Sequence, residues 1–426
     1  MGVDISFTPL GSLVDEARGI SYGVVQPGQH VDDGVPIVRV TDIRHGRINQ
    51  VDPLRVDPEI ADKYRRTVLR GGELLLTLVG TVGETAVVPA SLAGWNTARA
   101  VAVLPVLDEP GPRWVQYALQ TGPAREYIQT RLNTTVQATL NLGDVTTLPI
   151  PMPPREARER ILRILGALDD KIELSRKMNA TLEAMARALF KSWFVDFDPV
   201  RAKAEGRAPS GMDAETAKLF PSEFVDSELG SIPKGWEAGR IGDVIEIHDS
   251  RRVPLSSRER EQRRGDFPYY GATSVMDYVD AFLFDGRFVL VGEDGSVVTP
   301  EGLPFTQYVW GRFWVNNHAH VLTGIRGFSQ EHLYLLFQQT NIAAYVTGAV
   351  QAKLSQGNMR KIPLVVAPDA VNAKFGSVVD PLFARFRALT EESRTLTRLR
   401  DELLPRLLSG NLDAGPPVDG HGASDG

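Results

Sequence analysis

The sequence predicts an α+β protein: two strand-rich globular domains held apart by two long antiparallel coiled-coil helices, with an internal pseudo-two-fold repeat. Three observations predict it. First, Val136–Pro154, VQATLNLGDVTTLPIPMPP, returns at Val350–Pro368 as VQAKLSQGNMRKIPLVVAP, displaced by 350 − 136 = 214 residues without a gap. Seven of nineteen positions are identical (Val136/Val350, Gln137/Gln351, Ala138/Ala352, Leu140/Leu354, Gly143/Gly357, Pro149/Pro363, Pro154/Pro368), where chance gives about one, so the chain is internally duplicated. Second, each copy runs on into a long heptad pattern. Third, the region before each copy is rich in short strand patterns punctuated by glycine.

Residues 1–152 form the first domain, opening with PLGSLV at 9–14. Pro36–Ile43, PIVRVTDI, sets apolar Ile37 and Val38 beside Arg39 and Thr41 and stops at the turn-prone RHGR of Arg44–Arg47, which reads as a strand. Leu74–Leu78, Thr85–Val88 and Ala100–Val106 are further strand candidates, separated by Gly71-Gly72, Gly80 and Gly83. Trp114–Gln120 and Ala124–Leu132 read as short helices.

Pro153-Pro154 then starts the first long helix, residues 153–197, because proline is tolerated in a first turn. Its seam runs Ile161, Leu165, Leu168, Ile172, Ser175, Asn179, Leu182, Ala186, Leu189, Trp193, alternately four and three residues apart, as in a coiled coil. Such a helix of about 40 residues is about 60 Å long and cannot bury its seam alone. Adding 214 supplies the partner, within 368–411: Phe375, Val379, Leu382, Phe386, Leu389, Ser393, Leu396, Arg400, Leu403 and Leu407. Pro381 and Pro405 fall inside this second pattern and predict a kink or break near each.

Between the helices, 198–231 has a linker's composition, charged and rich in Ala, Gly and Pro. Residues 232–367 form the second domain. Ile241-Gly242-Asp243-Val244 echoes Leu10-Gly11-Ser12-Leu13, with strands at Phe288–Val291, Phe313–Val315 and Ala319–Leu322 and a helix at Ser329–Thr340. The tail, 412–426, is Gly/Pro/Asp-rich and reads as disordered.

Composition excludes several functions. With 426 residues, 42% apolar content, no cysteine and no run long enough for a membrane span, the chain reads as soluble and cytoplasmic, without disulfides or thiolate metal sites. A glycine-rich SAM turn, an Asn/Asp-Pro-Pro-aromatic motif and a phosphate loop are all missing, so catalysis by this chain is not expected. His318 and His320, with Glu293-Asp294 upstream, would share a strand face, but no third ligand follows at a diagnostic spacing and no metal is expected.

What remains suits a polar polymer. The first domain offers Arg39, Thr41, Arg44, Arg47, Lys63, Arg65, Arg66, Asn96, Arg99 and, in the repeated stretch, Gln137. The second offers Arg251 and Arg252 within RRVPLSSREREQRR (251–264), then Tyr269, Tyr270, Thr273, Ser274, Asn316, Asn317, His318, Gln351, Lys353 and Asn358. Arginine and lysine suit phosphates and guanine; asparagine and glutamine suit adenine edges. Each cluster alone reads as a solvated surface, and their weight comes from recurring in both halves. Off the seam, Met185, Phe190 and Phe194 have no obvious partner within the chain and are candidates for docking another subunit.

Taken together, PIVRVTDI (36–43), FKSWFVDFDPV (190–200), KLFPSEFVDSELGSIPKGW (218–236), FPYYGAT (267–273), VGEDG (291–295), NNHAHVL (316–322) and LRDELLPRLLSG (399–410) resemble a specificity subunit of a type I restriction–modification system over essentially the whole chain. The resemblance implies two target-recognition domains, each reading half of a bipartite site in double-stranded DNA. It implies helices that act as a ruler and dock two modification subunits, which methylate adenine with SAM. Restriction subunits would add an ATP- and Mg2+-dependent nuclease; this chain itself would bind no cofactor. Two other readings stay open: a coiled-coil scaffold with two protein-binding domains and no DNA contact, which the net charge of −6 favours, and a self-sufficient nuclease, which the missing motifs disfavour.

Overall fold

A strand reading Leu74-Leu75-Leu76 has no polar face to give to water, and the structure buries both sides. In this computed structural model, which describes residues 5–133, 137–348 and 351–410, the chain divides into two compact units. The first unit comprises Met1–Glu173 with Ser393–Gly426, the second Leu174–Glu392, so the division falls midway along both long helices. The expected disordered tail, 412–426, and Val136 and Val350 lie outside the described residues.

In the first unit a four-stranded antiparallel sheet runs in the order Ser21–Tyr22, Val101–Leu104, Leu74–Thr77, Thr85–Val87. Period two sorts its side chains. Leu74, Leu76, Ala102 and Leu104 face Trp114, Tyr117, Ile161, Leu165 and Leu404; Leu75, Val101 and Val103 face Val38, Ile43 and Leu92 on the other side. The expected helices appear at Pro112–Leu119 and Gly122–Thr130. Val35–Val38 pairs antiparallel with Leu54–Val56 and parallel with Asn96–Thr97.

The second unit holds a six-stranded sheet, ordered Ile245–Ile247, Ala319–Gly324, Phe284–Gly292, Thr306–Val315, Arg264–Tyr270, Val275–Val279. Again the faces separate. Val289, Val291, Tyr308 and Leu322 pack toward the helix Gln330–Phe337 and the long helices, while Leu290, Val309, Phe313 and Val321 join Tyr270, Phe284 and Phe288.

The duplication holds at the level of elements. The long helices are Arg155–Phe194 and Asp369–Leu408, forty residues each and displaced by 369 − 155 = 214 at the start and 408 − 194 = 214 at the end. The strands before them, Pro149–Met152 and Pro363–Val366, keep the same displacement. Each strand pairs antiparallel with an earlier strand of its own unit, Ser6–Pro9 and Glu237–Arg240.

All seam residues are buried or half-buried. Ile161 and Leu165 share the first unit's core with Leu404, Leu407 and Leu408. In the second unit Ser175 meets Glu392 at 3.4 Å and Asn179 Nδ2 donates to Thr390 Oγ1 at 2.9 Å; one number rises as the other falls, so the pairing is antiparallel. No break falls at Pro381 or Pro405, since Asp369–Leu408 is one continuous helix. Each proline removes one N–H and orphans one carbonyl, but both prolines are exposed, so water can bond that carbonyl while the buried Phe375, Val379 and Phe383 hold the other face.

Two further expectations are corrected. Residues 198–231 fold: helices Asp198–Ala204 and Ala214–Lys218 and the hairpin Phe224–Ser227/Gly230–Pro233 are anchored by buried Val200 and Phe220 against Trp193 and Trp236. A few apolar anchors outweigh a polar average. Phe190 is buried and Phe194 half-buried, their rings set against Phe375 and His332 at 4.5–6.1 Å, so neither is the exposed off-seam residue expected; Met185 is exposed. A helix packed on a domain core buries a wider stripe than a two-helix seam.

Candidate nucleic-acid interface

In the first unit, Arg44 is exposed in the hairpin Ile43–Arg44/Arg47–Ile48, whose turn places His45 and Gly46 at positive φ. Arg47 is half-buried and pairs with Glu173 at 2.9 Å. Arg39 bonds the Asp42 carboxylate through Nε and Nη2, both at 3.0 Å, and that bond raises its already high pKa. Lys63, Arg65 and Arg66 follow the helix Pro58–Asp62, and with Tyr22, Asp62 and Tyr64 they line an open depression of about 420 Å³. Arg65 grips Asp62 through two bonds of 2.7 and 2.6 Å. Thr41, Arg99 and Gln137 are exposed.

Asn96 is corrected. It is fully buried, accepting from Thr67 Oγ1 at 2.6 Å and donating to the Tyr64 carbonyl at 3.1 Å. Its amide fixes the turn that carries Arg65 and Arg66 and presents no edge to a ligand.

The basic stretch of the second unit is largely paired internally. Arg260 meets Asp277 at 3.1 Å, Arg263 meets Asp280 at 2.9 Å, and exposed Arg251 lies over the Phe284 ring at 4.5 Å. Arg252 reaches Glu293 at 2.7 Å and Asp249 at 3.3 Å and also donates to the Ala319 carbonyl. It belongs to the core's electrostatics, not to the free surface. Tyr269, Tyr270 and Asn316 are buried as well: Tyr269 accepts from the Leu255 amide, and Asn316 Oδ1 caps the turn at His318. Asn358, half-buried, donates to the Tyr345 carbonyl. Thr273, Ser274, Asn317, Gln351 and Lys353 remain exposed, and His318, half-exposed, bonds Asp294.

The repeated stretch is built alike in both units. Asn133 pairs with Thr139, and Thr347 with Lys353, across a short loop. Gly80 N donates to the Ala138 carbonyl and Gly295 N to the Ala352 carbonyl, each at 3.0 Å. Gly80 sits at φ +77, where a side chain would be strained and its Cβ would stand 3.2 Å from Gln137 Nε2. Gln137 and Gln351 thus occupy matching exposed positions beside a glycine turn.

Next to this loop in the second unit lies a cluster that sequence spacing did not reveal. His320, fully buried, has Nδ1 2.6 Å from Asp249 Oδ2 and 3.6 Å from Glu293. Burial works against the Asp249 carboxylate, but the His320 bond and charge, the Val321 amide and Arg252 outweigh it and hold its pKa below the usual aspartate value. Asp249, Glu293 and His320 bring three ligand atoms within 4.8 Å of one another, and His318, the other histidine of the HxH pattern, bonds Asp294 instead. Arg252 already supplies the positive charge these carboxylates need, so the arrangement is a satisfied ion cluster, not an open ligand set. The Glu293 and His320 motifs were visible in the sequence; Asp249, 71 residues before His320, carried no signal.

No helix among the described residues is long and apolar enough to cross a membrane. The type I restriction modification DNA specificity domain matches residues 29–184 and again 233–398. The chain is 27% identical over 335 residues to the type I restriction enzyme HindI specificity subunit of Haemophilus influenzae, covering 64% of this chain and 71% of that one. It is 24% identical over 358 residues to the MjaIX specificity subunit of Methanocaldococcus jannaschii, covering 80% and 78%. The solved S subunit of a type I restriction–modification system from M. genitalium has the same fold, with a TM-score of 0.50 at 15% identity over 95% of this chain and 96% of that one. With two domain matches that together span most of its length, the chain belongs to the type I restriction–modification DNA specificity family.

Proposed function

We propose that each unit reads one half of a bipartite site in double-stranded DNA, and that the long helices set the spacer between the halves and dock two modification subunits. In this reading the chain is a non-catalytic cytoplasmic scaffold. SAM is bound by the modification subunits, and ATP with Mg2+ by restriction subunits where these join.

The observation that carries the reading is the doubled architecture: the same loop beside the same glycine turn in both units, with Gln137 and Gln351 exposed at matching positions. Exposed cations add to it, Arg44, Lys63, Arg65, Arg66 and Arg99 in the first unit, Arg251 and Lys353 in the second. Phosphate contacts give affinity and register, and polar side chains give base choice.

The test is a domain exchange. Replacing residues 1–152 by the matching region of a relative should change one half-site in the methylated motif and leave the other intact. A change in both halves refutes independent reading. The scaffold reading without DNA contact draws support from the net charge of −6 and from the arginines locked in ion pairs. Salt separates the two, because phosphate contacts release counterions and apolar docking does not.

A further inference from the structure

We propose that His320 is a positioning residue: from inside the second unit it holds the stretch Gln351–Leu354, with exposed Gln351 and Lys353, in the geometry in which that stretch meets DNA. The proposal rests on the reading that each unit recognises a half-site.

Both ring nitrogens are engaged. Nδ1 faces Asp249 Oδ2 at 2.6 Å and Nε2 faces the Leu354 carbonyl at 2.7 Å. A carbonyl and a carboxylate only accept, so each nitrogen has to donate. Asp249 also accepts from Gln356 Nε2 at 2.6 Å and from the Val321 amide at 2.9 Å. The His320–Asp249 pair therefore joins the strand Ala319–Gly324 to both sides of residue 355, at the base of the loop carrying Gln351 and Lys353.

The first unit shows what this adds. Its loop makes the same backbone bonds, Leu140 N to the Leu78 carbonyl at 2.9 Å where the second unit has Leu354 N to the Glu293 carbonyl at 2.8 Å. Ala102, paired with Leu76 as His320 is with Val291, is buried, and its methyl group offers the loop no hydrogen bond. Backbone pairing thus suffices to fold the loop. In the second unit Lys353 replaces Thr139 and lies 3.4 Å from Glu293, itself paired with Arg252. A loop carrying a cation next to half-buried Glu293 and buried Asp249 needs a fixed set of partners to keep one orientation, and the Asp249–His320 pair supplies it.

The test uses the full chain in complex with its modification subunits and duplexes carrying the motif found by methylome sequencing, with single base changes in each half. His320→Ala should lower discrimination at one half-site by about tenfold, the scale of a lost base contact, and leave the other within about twofold. Hydrogen exchange over 351–356 should quicken while strand Phe284–Gly292 stays protected. His320→Gln, which keeps a donor toward Leu354, should restore most of the loss. If His320→Ala fails to fold, Asp249→Asn, which preserves volume, carries the same comparison. Undiminished discrimination in a folded variant, or equal loss in both halves, overturns the positioning role. A wild-type complex without preference in either half overturns both this role and the DNA reading beneath it.

Discussion

Arg400 reaches Asp169 across the helix pair of the first unit, Nη1 to Oδ1, at 2.8 Å. The Tyr117 hydroxyl donates to the other oxygen of the same carboxylate at 2.5 Å, and its ionisation is pushed up first by burial and then by that charge. One carboxylate thus ties both long helices to the helix Pro112–Leu119. Asp169→Ala should destabilise the first unit by about 1–3 kcal/mol, since it strands the buried Tyr117 hydroxyl and leaves Arg400 with Asp401 on its own helix. The exchange Asp169→Arg with Arg400→Asp should recover part of that loss, read by hydrogen exchange in the first unit. No recovery would mean the pair does not set the register.

Among the described residues His332 has no hydrogen-bond partner on either ring nitrogen, and it stacks on Phe328 at 4.0 Å between centroids. Burial lowers its pKa to about 3. An unfolded histidine titrates near 6.5, so below that pH the unfolded chain gains a proton that the folded chain refuses. The neutral imidazole's contribution is complete above pH ~6.5 and falls by about 1.4 kcal/mol per unit down toward pH ~3. The second unit should therefore weaken on acidification, and His332→Phe should flatten the slope. A variant with the wild-type acid profile would show that other groups govern it.

Phe190→Asp places a carboxylate among aromatic rings and should cost more than about 4 kcal/mol, unfolding the second unit rather than sparing it. Met185→Asp, at a side chain half open to solvent, should change stability by no more than about 0.5 kcal/mol. Under the proposed function it should still reduce co-purification of the modification subunit, and undiminished co-purification would exclude this face as the dock.

Lys63 and Arg44 are exposed. If they meet phosphates, replacing either by alanine should reduce the slope of log affinity against log salt by about 0.9. Fluorescence anisotropy across a salt series reads this directly, and unchanged slopes would favour the scaffold alternative.

Four residues inserted after Asn179 and four after its partner Thr390 lengthen the helix pair by about 6 Å. As a ruler, the pair should then select a spacer one or two base pairs longer at ~3.4 Å each, with both half-sites unchanged. An unchanged spacer in an active variant removes the ruler.

The two long helices were legible because a heptad needs only residue type and spacing, and the 214-residue displacement of the repeat fixed their limits. Base-facing candidates were harder, because residue type does not report depth. Asn96, Tyr269 and Asn316 have the chemistry of a reading surface and spend it on backbone and neighbouring side chains. Arg252 was chosen for its charge, which buried Asp249 and half-buried Glu293 already occupy. Phe190 and Phe194 were misplaced because a heptad assumes one facing helix, whereas there the helix also meets His332 and Trp236. Local rules read periodicity well and long-range pairing poorly.

The second unit is one uninterrupted stretch, Leu174–Glu392, whereas the first is completed only by Ser393 onward. On the ribosome this inverts the order of folding. The first 173 residues emerge with Ile161 and Leu165 uncovered, because Leu404, Leu407 and Leu408 have not yet been made. Another 393 − 174 = 219 residues must be translated first, which at ~5–20 residues per second takes about 10–45 s. During that interval the later-made unit can close while the earlier one stays open. A stop codon between Ser393 and Leu404 therefore leaves the later-made unit whole and opens the core of the unit made before it.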